Sequence, residues 1–139
     1  MSDDYKIRPC TTRLDVEVNA GESIDLLVPI LDCHDEPVAI PIGSEGSWSA
    51  RAQVRRNALA STVLHEWSTD GDTPNAVIVP GTPGKVRLLA TDEETTGWQA
   101  TWPDYTCSWD IELTEPAANG GETHRIAEGP FGLRAQHTR

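Results

Sequence analysis

The chain has 139 residues, with 22 acidic against 11 basic side chains and a net charge of −11. A chain of this length is expected to form one domain and to bury a core without covalent staples. The acidic balance speaks against nucleic acid, which is held by cations that neutralise phosphate, and against an anionic membrane surface.

Three cysteines, Cys10, Cys33 and Cys107, are an odd number at irregular spacing, so no disulfide framework is expected. The first residues show no cationic stretch leading into an apolar run, and no apolar run reaches about 18 residues. Neither a signal peptide nor a membrane span is expected. Synthesis in a reducing host cytoplasm, with free thiols, follows as the expectation.

Residues 1–13 are polar, carry Pro9 and show no sustained period, which predicts an N-terminal arm. Tyr5, Ile7 and Pro9 are its candidate contact residues. Leu14, Val16 and Val18 alternate with Asp15 and Glu17 as a first strand, and Asn19 to Gly21 is turn chemistry. Ser23 to Leu31 forms a second strand, with Ile24, Leu26, Val28 and Ile30 inward. Pro29 cannot donate to a ladder, so this strand belongs at an edge or a bulge. An acidic turn over 32–37 and a flexible break at Gly43 to Gly46 follow.

Trp48 to Arg55 is the next clear strand, with Trp48, Ala50, Ala52 and Val54 on one face. Thr62 to Trp67, Ala76 to Val79 and Lys85 to Ala90 are further strands. Thr91 to Glu94 carries the start signature of a helix: a capping Thr, a Glu three residues on, and acids at the positive end. Gly97 limits it to one or two turns. Tyr105 to Leu113 alternates strictly, with Tyr105, Cys107, Trp109, Ile111 and Leu113 on the dry face. Glu122 to Ala127 is a strand that Gly129 and Pro130 break. Phe131, Leu133, Ala135 and His137 mark the last.

Short strands at regular spacing with turns between them predict an all-β fold, an antiparallel β-sandwich of about 8–9 strands with one short helical turn. The order Cys33, Trp48, Cys107, with Tyr105 two residues before Cys107, makes it immunoglobulin-like. Residues 14–139 form the single domain. Trp48, Tyr105, Cys107, Trp109 and Ile111 are the expected structural core. Cys33 falls in a polar turn, so a Cys33–Cys107 bridge is disfavoured and Cys107 reads as a small buried hydrophobe.

No constellation carries catalysis. A nucleophile elbow, a phosphate loop and a zinc-protease motif are all missing. His34, His65, His124 and His137 lie in four elements without ligand spacing, and read as structural or surface groups. The acidic turns at 32–36 and 70–72 do not match a calcium loop. Asp110 and Glu112 read as an outward strand face and not as a cleft pair. Trp98 and Trp102 are expected to seal one end of the sandwich, with an exposed binding patch as the alternative. No catalytic, metal-binding or cofactor-binding residue is expected.

The middle and end of the chain resemble the LtfC-like phage β-sandwich domain family and, more loosely, the N-terminal domain of BppU-type baseplate proteins. The residues that carry the likeness begin with Ala20 to Leu26, then Ile30 to Asp32 with Glu36 to Val38. They continue through Trp48 to Val54, Gly84 to Leu88, Thr91 to Thr95 and Tyr105 to Leu113. They end with Gly129 through Thr138 and Arg139. The likeness spans 14–139 and departs from the family at Glu36, where a Gly is usual, and at the Pro41 to Gly46 insertion. It implies a non-enzymatic structural protein of a tailed phage virion, most simply tail-associated, with other virion proteins as partners and many symmetric copies. A head decoration protein on the capsid exterior is the first alternative, and a carbohydrate- or receptor-binding module the second. No cofactor is implied.

Overall fold

The computed structural model describes residues 10–103 and 106–134, with the side chains of Glu45 and Asn119 set aside. The expected core residue Tyr105, the arm residues Tyr5, Ile7 and Pro9, and the last expected strand beyond Arg134 lie outside the described residues.

The chain folds as a two-sheet sandwich. The strands are β1 (Thr12–Arg13), β2 (Val16–Asn19), β3 (Ile24–Pro29), β4 (Ser49–Arg55), β5 (Val63–Ser68), β6 (Ala76–Val79), β7 (Lys85–Ala90), β8 (Cys107–Thr114) and β9 (Thr123–Arg134). One helix, α1 (Asp92–Thr101), follows β7. The large sheet runs β1-β9-β8-β4-β5, with β2 also on β9; the small sheet runs β3-β7-β6. Pro29 ends β3, an edge strand, where its missing N–H is tolerated.

Most pairings are antiparallel, but β1 and β2 both lie parallel to β9. The sequence places an arm up to residue 13. Instead the chain joins the sandwich from Cys10, which donates to the Leu31 carbonyl, and through β1. Three free thiols are also not found. Cys10 and Cys33 form a disulfide, with Cα atoms 4.9 Å apart, within the span a disulfide bridges. Polar flanking residues hid both features: β1 is two residues long, and its partners Ala127 and Glu128 lie 115 positions on.

β9 runs straight through Gly129 and Pro130, where a break is expected. The two residues sit opposite the gap between β1 and β2, so the proline needs no donor there. Gly129 is required by close approach: a Cβ there would fall inside the van der Waals shell of the Leu14 carbonyl oxygen. Trp109 Nε1 donates to that same oxygen at 3.0 Å. Leu14 is thus held between β8 and β9, and the first strands are locked to the sheet.

Alternation puts apolar side chains between the sheets. Ala50, Ala52 and Val54 of β4 and Cys107, Trp109, Ile111 and Leu113 of β8 face Ile24, Val28, Val86, Leu88, Ala76 and Ile78 of the small sheet. The alanines of β4 let its backbone and that of β6 approach within 8 Å between Cα atoms. Trp67 is fully buried and donates its Nε1 to the Leu89 carbonyl at 3.0 Å, tying β5 to β7 across the sandwich.

α1 closes one end. Thr91 accepts from the Glu94 amide and Glu94 reaches back to the Thr91 amide, a complete capping box. The helix has ten residues and passes through Gly97, longer than the one or two turns expected. Buried Thr95 decides this. Its hydroxyl accepts from the Gly21 amide and lies 2.8 Å from the Glu22 carbonyl, pinning the helix to the β2–β3 turn. Trp98 and Trp102, one turn apart, anchor the far end in the core.

Candidate functional site

The strand phases that build the core also decide what reaches solvent. Trp98 and Trp102 are 6 % and 7 % exposed and stack on each other at 4.4 Å, with rings 9° from parallel. They pack with Trp67 and with Phe131, which also meets Trp109 at 5.9 Å. Each such pair adds about 0.5–1.5 kcal/mol beyond its buried area. These tryptophans seal the sandwich and offer no platform for a sugar ring. His65 joins the cluster, 4.4 Å from Trp67 and 4.7 Å from Trp98. Among the described residues its Nε2 is buried with no hydrogen-bond partner, and burial pushes its pKa below the usual histidine value.

Trp48, Cys107, Trp109 and Ile111 are all buried. Cys107 forms no disulfide, and burial raises its thiol pKa. Asp110 and Glu112 stand on the outer face of the large sheet among arginines. Arg51 pairs with Glu112 at 3.1 Å, and Arg125 lies 3.6 Å from Asp110 and 3.3 Å from Glu128. Burial pushes the Asp110 carboxyl up, and Arg125 pulls it down. Asp110 and Glu112 stand on one strand in a cross-strand charge ladder; Asp110, without Glu112, lines a concavity together with Arg125 and Glu128. Asp32 accepts from the His34 and Glu36 amides, which lowers its pKa and closes the acidic turn on itself.

The outer face of the small sheet is different. Register places Leu27, Arg87 and Val77 in one row across β3, β7 and β6, and Pro29, Lys85 and Val79 in the next. Leu27 is 49 % and Val77 41 % exposed. Arg87 makes a two-pronged bond to Asp25, at 2.8 and 2.6 Å, which lowers the Asp25 pKa. A free sheet face is ordinarily polar. Here an arginine–aspartate pair lies between apolar side chains.

A third place was missed in the sequence. The dry-face alternation of Cys107, Trp109, Ile111 and Leu113 continues to Glu115, which is 4 % exposed. Its carboxylate meets His124 Nε2 at 2.5 Å, and Glu122 Oε1 lies 3.9 Å from the same nitrogen. The three donor atoms lie within 4.8 Å of one another. Carrying the period-2 count one step past Leu113 exposes this carboxylate. Its partners lie across the eight-residue β8–β9 connection and follow from the β8–β9 register.

No protein-family model and no curated protein matches this chain.

Proposed function

We propose that this protein is a non-enzymatic structural component of a tailed bacteriophage particle, tail-associated, that works by protein–protein contact. The virion assignment rests on the resemblance of residues 14–139 to the LtfC-like domain. The contact role rests on one observation: the exposed row Leu27, Arg87 and Val77 on the small sheet. Apolar side chains flanking an Asp25-paired arginine on a flat sheet suit an interface core, where arginine and apolar groups are enriched. Repetition on a symmetric particle turns many weak contacts of this kind into firm attachment. The glycan-binding alternative loses its aromatic platform with Trp98 and Trp102 buried.

Antibody labelling of intact particles by electron microscopy tests the location. Label at the tail or neck is expected. Label spread over the head would move the protein to capsid decoration, and unlabelled particles would remove the virion reading. The double variant Leu27→Asp with Val77→Asp tests the face. It is expected to keep the wild-type melting curve and lose incorporation; full incorporation would remove this face from the assembly.

A further inference from the structure

We propose that Glu115, His124 and Glu122 form a binding site for a zinc-class divalent cation at the β8–β9 connection. The inference is independent of the virion reading.

The first argument is burial. Glu115 occupies a core-face position and is 4 % exposed. A carboxylate held away from water needs a cation or a full set of donors. Among the described residues its side chain contacts one nitrogen donor, His124 Nε2, and no Lys or Arg. That nitrogen also faces Glu122 Oε1. A metal ion takes imidazole in its neutral form and carboxyl groups as carboxylates, so these three ligands would match a divalent charge.

The second argument is donor chemistry. One imidazole nitrogen with two carboxylate oxygens is a borderline set that suits Zn²⁺; the all-oxygen shells of Ca²⁺ and Mg²⁺ are a poorer match. Tetrahedral zinc at ~2.0–2.2 Å from its ligands sets neighbouring donors about 3.3 Å apart. The observed 2.5 and 3.9 Å lie on either side of that spacing. The three donors lie within 4.8 Å of one another, so side-chain ends close by up to ~1.5 Å to share one ion.

The third argument is preorganisation. The Glu115 amide bonds the Glu122 carbonyl at 2.9 Å, Gly121 N bonds Pro116 O at 3.1 Å, and His124 is in register with Leu113. The ligand backbones are therefore fixed before any ion arrives. Glu122, with its side chain 51 % exposed, stands on the open side. Three protein ligands leave a fourth position for water or for a donor from a neighbouring molecule.

The test uses the full untagged chain with its disulfide intact, stripped of metal, and ZnCl₂ as the probe. Calorimetry is expected to show one Zn²⁺ per chain and a raised melting temperature. Glu122→Gln changes an exposed side chain and leaves the core alone. It and His124→Gln are each expected to weaken binding by more than the roughly 10–100-fold that a lost supporting contact costs. A Co²⁺ spectrum should show d–d bands without thiolate charge transfer, separating this site from Cys107. Absence of one-to-one binding in the wild type, or wild-type affinity in either variant, would overturn the proposal.

Discussion

Single residues decide how tightly this sandwich is tied. Gly129 lies under the Leu14 carbonyl, and backbone cannot yield as a flexible side chain can. Gly129→Ala is therefore expected to cost about 1–3 kcal/mol as an overpacking change. Urea denaturation reads the loss directly, and a neutral outcome would mean that the Leu14 contact is not tight. His65 adds a pH dependence. Its folded pKa lies below the ordinary 6.5 because burial disfavours the imidazolium, with Glu94 and Glu66 pulling weakly the other way. Between 6.5 and that lowered value, the unfolded chain takes up the proton and the folded chain does not. The stability linked to His65 is thus complete above 6.5 and falls as pH drops through 6.5 toward the folded value. Urea midpoints between about pH 7.5 and 5.5 should fall less steeply in His65→Gln than in the wild type.

At the scale of elements, α1 shows local signals and tertiary contacts acting together. The capping box was legible from Thr91 and Glu94 alone, because capping is a contact over three residues. Its length was not, because Thr95 reaches residues more than seventy positions away. Thr91→Ala should cost about 1 kcal/mol through the lost cap. Gly97 is exposed, and an added Cβ meets nothing within 4 Å. Gly97→Ala should therefore stabilise the protein by about 0.5–1 kcal/mol, since glycine serves no close approach there. Opposite signs for these two changes in one denaturation series would confirm that the helix extends through Gly97.

For the molecule as a whole, the disulfide and the parallel strands bring the start of the chain onto its end. β9 pairs with β8 on one side and with β1 and β2 on the other, so it is central to the large sheet. The Cys10–Cys33 bridge closes a loop with a sequence separation of 23, worth about 3 kcal/mol in the chain-entropy account. In denaturant without reductant, one thiol per chain should titrate, that of Cys107, and all three after reduction. Three thiols before reduction would mean an open bridge, with residues 10–13 held by β1, the Cys10 amide and the Thr11 hydroxyl bond to the Arg125 carbonyl.

Alternation along Cys107 to Leu113, along Ala50 to Val54 and along Val86 to Ala90 was enough to establish a β-sandwich and to name most of its core. A strand's period is local, and burial follows it. The same count, carried one step past Leu113, reaches Glu115, a buried carboxylate that the sequence reading left out. Pairing is another matter. That β1 and β2 run parallel to β9, that Cys10 meets Cys33, and that Leu27, Arg87 and Val77 share a row all depend on which distant strands become neighbours. Hydrophobic periodicity says which side of a strand is dry and leaves its partner open. Partner choice is made by the three-dimensional packing of Trp67, Trp98, Trp109 and Phe131, whose contacts join segments far apart in the chain.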